Sequence, residues 1–278
     1  MTSVIEPTVI EHVEIDPAKI RRLGAWYVFK HQVRVMRNYR SSLIATAVGT
    51  PFVYLFAFGI GIGTLVTANA GTIDGVDYLT FVAPALIVMS VVGIAAIEFT
   101  YPIMLGFKWN PTYIGMNAAP LSGRQVIDGV VLFVILRMAI PSVVYFIVMS
   151  AFGAVPSSFG PGVIVTSILA GLALGTPIMA YSASITEDRG QFAVIGRVVV
   201  LPLTLFSGTM FPLDKLPIFL QWIGWISPVW HGTELGRQLT YGATEPIWLT
   251  VIHVLYLLAL AVGGWWLAVR VATRRLDK

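Results

Sequence analysis

Phe206-Ser207-Gly208-Thr209-Met210-Phe211-Pro212-Leu213-Asp214-Lys215-Leu216-Pro217 closes a long apolar segment, and Ser227-Pro228-Val229-Trp230-His231-Gly232-Thr233-Glu234-Leu235-Gly236-Arg237 follows soon after. An apolar run that ends in Ser-Gly and a double-proline break does not simply cross a bilayer. Irregular backbone at membrane depth must be covered by protein or line a cavity. Gly208 permits a sharp reversal, while Pro212 and Pro217 each remove a backbone donor and stop continuous helix. The pieces that follow, 213–225 and 233–241, are too short to span. The stretch 206–241 therefore predicts a re-entrant pair of helices. Trp222, Trp225 and Trp230 suit the headgroup level, where amphipathic rings reside. Glu234 and Arg237 lie one turn apart and can pair with each other. The functional reading of the stretch is an outer gate, built on Gly208, Pro212, Pro217, Trp222, Glu234 and Arg237, that hands cargo to the outer leaflet.

Composition agrees with a membrane setting. Of 278 residues, 56% are hydrophobic and only 12% charged, against about 25% charged in ordinary soluble domains. The mean hydropathy is +0.81. Such a chain cannot keep its surface wet. It has no cysteine, so disulfides and thiolate metal sites are excluded. The start of the chain carries Glu6, Glu11, Glu14 and Asp16 and lacks the layout of a cleaved signal peptide. The expected organisation is a polar tail over 1–20 and a single transmembrane domain over 21–275.

A hydrocarbon core of about 30 Å needs about 20 apolar residues in a helix. Six segments qualify: 42–65, 78–104, 126–152, 160–182, 192–211 and 248–271. The fold class is thus an all-α polytopic membrane protein with six transmembrane helices. Basic residues set the orientation. Lys19, Arg21, Arg22, Lys30, Arg34, Arg37 and Arg40 precede the first span, and Arg270, Arg274, Arg275 and Lys278 follow the last. Lys108, Arg124 and Arg189 mark the second and fourth connections. Both termini are expected in the cytoplasm of a plasma-membrane protein.

Two cytoplasmic segments stand out. In 21–40, Trp26, Phe29, Val33 and Met36 share one arc of a helical wheel, and Lys30, His31, Arg34 and Arg37 share another. This is a basic amphipathic helix that lies along the interface, as a lipid anchor or as a contact for a partner, with Trp26, Phe29, Arg34 and Arg37 its defining residues. In 106–123, Asn110-Pro111 starts a short helix and Pro120 stops it. Phe107, Trp109 and Tyr113 must bury their rings, on this chain or on another.

Charge also falls inside the spans. Glu98 lies about 9 Å from the cytoplasmic end of the second span, with Asp128 read at similar depth and Arg137 deeper in the third. Such groups pair or face water. Arg137 is within reach of either carboxylate, and Glu98, Asp128 and Arg137 form an expected intramembrane cluster that pins the spans or serves proton or cargo transfer. No G-x-x-x-x-G-K-[ST] or H-E-x-x-H occurs. His12, His31, His231 and His253 show no ligand spacing, and Ser182 and Ser184 have no evident base. The chain does not read as an enzyme, and it carries no cofactor of its own.

The motif over 206–237 resembles the carboxy-terminal signature of type-two ABC exporter permeases, closest to the lipo-oligosaccharide (nodulation-factor) and antibiotic-export members. Thr112-Tyr113-Ile114-Gly115-Met116-Asn117-Ala118-Ala119-Pro120-Leu121-Ser122 is similar to their loop at this place. The resemblance runs from about Arg21 to Arg275. It implies a half-transporter that joins a second permease copy or paralogue and ATP-binding cassette subunits, which hold ATP and Mg. It reads 106–123 as the coupling loop, with Trp109, Tyr113 and Ile114 seated on the ATPase. The implied cargo is an amphiphile: a glycolipid, a lipo-oligosaccharide or a hydrophobic drug. Nucleic acid is not an expected partner. A secondary transporter that needs no ATP is the competing reading. It predicts paired inverted repeats, and the first half of the chain holds no match for the broken element of the second.

Overall fold

The structure, a computed structural model, describes residues 17–277, so the expected polar tail over 1–20 lies outside the described residues as far as residue 16. Among the described residues the fold is all helical, apart from a single bridge between Ile73 and Val76. Helix α1 (Pro17–Met36) passes through a 3-10 turn, Arg37–Tyr39, into α2 (Arg40–Leu55), a π-helical stretch Phe56–Ile62, and α3 (Gly63–Ala70). Helix α4 (Tyr78–Glu98) breaks at Phe99 and Thr100 and resumes as α5 (Tyr101–Met104) and a π turn, Leu105–Trp109. Then come α6 (Thr112–Ala118), α7 (Gly123–Ala151), α8 (Val163–Ser184), and α9 (Gln191–Val194), which a π stretch joins to α10 (Leu201–Leu205). The chain closes with α11 (Ile218–Trp225), α12 (Pro228–Tyr241) and α13 (Ile247–Leu276).

Local chemistry explains the starts of these helices. Asp77 accepts from the backbone N–H of Thr80 at the head of α4. Ser122 and Gln125 form a reciprocal capping box at the head of α7. Proline opens α12, where its missing N–H costs nothing.

Among the described residues, five runs are long and apolar enough to cross a membrane: Arg21–Val66, Tyr78–Trp109, Gly123–Ala151, Gly160–Ser184 and Ile247–Leu276. The sixth expected span, over 192–211, is not among them. The segment expected as a span over 192–211 is the helical run Gln191–Leu205, roughly 22 Å long at 1.5 Å per residue and short of the hydrocarbon thickness. It stops where the sequence gives helix no means to continue: Gly208 sits at φ 63°, in the left-handed region. The expected division between an interface helix over 21–40 and a span over 42–65 is also softer, because one helical run passes through both.

Helices α4 and α8 form the centre. Phe81, Ile87, Val91, Val92, Ala95 and Phe99 are fully buried. Small residues bring the helices close: a Cβ on Gly175 would lie 2.3 Å from the Phe99 ring, and one on Gly171 would lie 2.7 Å from Met138. Helix α13 packs on α8 through one stripe, His253, Leu257, Ala261, Gly264, Ala268 and Ala272. The spacing of three to four residues puts these on one face, and small side chains permit close approach where apolar surroundings supply no hydrophobic drive. Thr176 Oγ1 donates to the Ala261 carbonyl at 2.8 Å across this seam.

Helix α12 is wedged among α4, α8 and α13. Gly232 meets Ala170 and Val88, and Gly236 meets Val163 and Pro84. As α12 advances, its neighbours on α4 and α8 step back toward their own starts, so it runs antiparallel to both. The backbone N–H of Ser157 donates to the Thr240 carbonyl at 2.9 Å and ties the end of α12 to the α7–α8 connection.

Candidate transport cleft

Glu98 is the last residue of α4, and Arg137 lies midway along α7. Arg137 Nη2 and Glu98 Oε1 are 2.8 Å apart, and the two side chains are 23% and 13% exposed. The pair sits in the wall of a cleft of about 460 Å³ between the α1–α2 run, α4 and α7. Met36, Leu43, Ala47, Pro51, Ile94 and Ile140 make much of its apolar lining. Arg40 brings a second guanidinium, and Glu98 is the single carboxylate. A smaller cavity of about 140 Å³ beneath Tyr54, Leu86 and Tyr145 shares Thr50, Met89 and Ser90 with the cleft. Together they form an apolar trough with a charged end, a shape suited to a molecule that is apolar along most of its length.

The third member of the expected charge cluster is elsewhere. Asp128 accepts from Trp265 Nε1 at 2.8 Å and lies 3.5 Å from Arg124 Nε, itself stacked over the Trp265 ring. Nine residues separate Asp128 from Arg137, roughly 13 Å along a helix. Asp128 therefore fastens α7 to α13 and leaves Glu98 as the partner of Arg137.

The segment 106–123 is folded onto its own chain. Tyr113 is 2% exposed. Its ring fills the space beside Gly106, where a Cβ would come within 2.4 Å, and meets the edge of Phe107 at 5.1 Å. Burial pushes the Tyr113 phenol well above its ordinary value, and the Glu98 carboxylate adds to the push. Phe107 lies under the Arg275 guanidinium, and Asn117 donates to the Leu276 carbonyl at 3.1 Å. Tyr113 is thus an internal buttress, which corrects the expectation that it faces a partner. An aromatic ring beside a glycine finds a socket within the chain. Trp109 and Ile114 are 49% and 54% exposed and form the outward surface of this segment.

Helix α1 buries Gly24 and Val28, against Gln125 and Gly129 of α7, a pair that the apolar arc did not single out. The available signal was the spacing of these residues, with Gly24 four positions before Val28 and Gly129 four positions after Gln125, each pair on one face of its helix. Trp26 remains exposed and stacks on Phe29 at 4.8 Å, and Arg34 and Arg37 face outward.

In the stretch 206–241, three of the expected residues, Gly208, Glu234 and Arg237, meet. Arg237, 1% exposed, bonds Glu234 Oε1 at 2.7 Å and donates to the carbonyls of Gly208 and Thr209. Its guanidinium lies 3.8 Å from the Phe81 ring centroid. Pro212 and Pro217 immediately precede the 3-10 turn Leu213–Lys215 and α11. Trp222 is exposed. Sequence reasoning missed two polar links here. Ser207 and Ser227 bond each other at 2.7 Å, and His231 Nδ1 meets His253 Nδ1 at 2.6 Å. His253 Nε2 also lies 3.1 Å from Glu245 Oε2. These residues are 20 to 22 positions apart, too far for helical spacing to reveal.

Known proteins are similar to this chain in sequence. The family model described as ABC-2 type transporter matches residues 25–241. Nodulation protein J of Rhizobium leguminosarum bv. viciae is 26% identical over 227 residues, which are 78% of this chain and 84% of that protein. Nodulation protein J of Rhizobium meliloti (strain 1021) is 23% identical over 253 residues, covering 86% and 91%. The probable multidrug ABC transporter permease YbhR of Escherichia coli (strain K12) is 31% identical over 75 residues, 27% of this chain and 20% of that one. The family match begins within α1, takes in the cleft and the outward surface of α6, and ends with the last residue of α12: the chain belongs to the ABC-2 type transporter family of membrane subunits.

Proposed function

We propose that the chain is the transmembrane half of an ABC exporter that moves an amphiphile from the cytoplasmic side outward. The observation that carries this reading is the apolar cleft with an ion pair at its end. The Glu98 carboxylate at that end acts electrostatically on Tyr113, the residue behind the exposed pair Trp109 and Ile114. A cargo site and a surface for an energy-supplying partner would then share one buttress.

In this reading the run Gln191–Leu205 and the turn after it count as a fifth, incomplete pass, and α11 and α12 form the re-entrant pair. Six passes leave both termini in the cytoplasm, and α1 lies at the cytoplasmic interface. Hydrolysis of ATP with Mg belongs to a separate cassette subunit seated on Trp109 and Ile114. A second permease copy or a paralogue completes the pathway. Exposed Ile218, Phe219, Trp222 and Trp225 on α11 offer it an apolar surface. The cargo lies among glycolipids, lipo-oligosaccharides and hydrophobic drugs.

The test is isolation of the tagged permease from its native membrane. An ATP-hydrolysing subunit should come with it, and inside-out vesicles holding both should take up a labelled amphiphile only with ATP. Uptake by the permease alone, driven by an ion gradient, would overturn the proposal.

A further inference from the structure

We propose that the cleft selects an amphiphile with a negatively charged head, drawn laterally from the bilayer. The head sits between Arg40 and Arg137, and the tail runs along α2 and α4 toward Thr50 and Tyr54. This deepens the transport reading and rests on it.

The argument is one of charge. The lining holds two guanidiniums, Arg40 and Arg137, and one carboxylate, Glu98. Glu98 is committed to Arg137 at 2.8 Å. One positive charge is left over against a lining that is otherwise apolar or carries only hydroxyls such as Thr46, Thr50 and Ser90. Arg40 is exposed on the cleft lining, so an anion that enters there meets a cation that Glu98 does not occupy. Guanidinium forks suit phosphate and carboxylate heads in particular. The tail has its own space, since the smaller cavity under Tyr54, Leu86 and Tyr145 continues the cleft past Thr50, Met89 and Ser90. The α2 wall is itself thinly covered, with Ile44, Val48 and Phe52 exposed. A molecule already in the bilayer reaches the cleft along that side.

The carboxylate gives the proposal a sign. Glu98 competes with the anionic head for Arg137, so removing its charge should strengthen binding. Removing Arg40 should weaken it.

The experiment uses the purified full-length permease in detergent at low salt. Two fluorescent single-chain probes with the same acyl chain are compared by anisotropy: a lysophosphatidic acid and a lysophosphatidylcholine. The anionic probe should bind about tenfold tighter, the size expected of one charge-assisted hydrogen bond. Arg40→Gln should erase that preference, and Glu98→Gln should widen it. Arg189→Gln, whose side chain is 79% exposed and outside the cleft, should change nothing. Soluble glycerol phosphate in large excess should not compete, because it has no tail. Equal binding of the two probes overturns the proposal. So does a loss of preference in Arg189→Gln, which would indicate diffuse surface charge. So does binding of neither probe, with cross-linking that shows a second copy over the cleft. Competition by glycerol phosphate would mean an anion site without a place for the tail, and would overturn it as well. If Glu98→Gln fails to fold, the exposed Arg40 position decides alone. Co-isolation of an ATPase is independent of these results, so failure here leaves the exporter reading to its own test.

Discussion

Arg237 Nη2 donates to the Gly208 carbonyl at 2.9 Å across a separation of 29 residues. The bond fastens the reversal after α10 to the middle of α12. The same guanidinium bonds Glu234 and covers the Phe81 ring of α4. One buried charge thus joins the turn, α12 and α4, and its removal strands the Glu234 carboxylate, only 14% exposed. Arg237→Met should destabilise the protein by about 3–5 kcal/mol, the usual result of leaving one buried charge unpaired. Arg237→Lys should recover part of this, since a point charge cannot span three acceptors. The double change Arg237→Met with Glu234→Leu should be milder than Arg237→Met alone. Thermal melting in detergent ranks the three, and a double variant worse than Arg237→Met would refute the pairing.

The Glu98–Arg137 contact predicts a non-additive cycle. Arg137→Ala should cost toward the lower end of about 3–5 kcal/mol, because both partners keep some exposure. Glu98→Gln should cost less, and the double variant less than the sum. Strict additivity in melting temperature would mean that the two do not interact. Asp128→Asn should instead loosen α13 and be additive with either, since it bonds Trp265.

The His231–His253 bond predicts a dependence on pH. Burial pushes the His231 imidazole down to about 4, against the pull of its bond to the Trp225 carbonyl and of the Glu245 carboxylate, while His253 pushes it further down. A histidine whose folded value is depressed contributes stability that is whole above about 6.5 and is lost as pH falls toward 4. The melting temperature should drop across that window. His231→Phe should flatten the drop, and an unchanged slope in that variant would refute the assignment.

The α6 segment separates folding from partner binding. Tyr113→Ala empties a filled socket and should lower stability by about 3–5 kcal/mol. Ile114→Asp lies on the exposed side and should leave melting unchanged, while it abolishes co-isolation of an ATPase. Normal co-isolation with both Ile114→Asp and Trp109→Ala would place the partner surface elsewhere.

Orientation is checked by single cysteines introduced into this cysteine-free chain. Cysteine at Asp74 or Ser157 should react with an impermeant thiol reagent added outside intact cells. Cysteine at Lys30, Gly115 or Asp188 should react only after permeabilisation. Labelling of position 115 from outside would invert the topology.

Particular residues show what was legible in order along the chain. The apolar lengths of α4, α7, α8 and α13 can be read directly, because a bilayer demands length and composition before it demands packing. The Pro212 and Pro217 breaks and the Gly208 reversal are equally plain, since they are local properties of the backbone. The Glu234–Arg237 pair follows from helical spacing. The chain by itself also marks Glu98 and Arg137 as charges in need of company.

Which company each found was decided only in three dimensions. Asp128 turned to Trp265, and Tyr113 turned inward onto Gly106. The apolar run 192–211 promised a sixth span, yet its helix ends at Leu205. His231 met His253, and Arg237 reached Gly208. The reason is physical. Periodicity and composition report on groups three or four residues apart on one helix, and an unpaired charge or ring announces only that it needs a partner. The choice of partner depends on which helices come within a few ångströms of one another. Here that depends on where small residues, such as Gly171, Gly175 and Gly264, let the backbones meet.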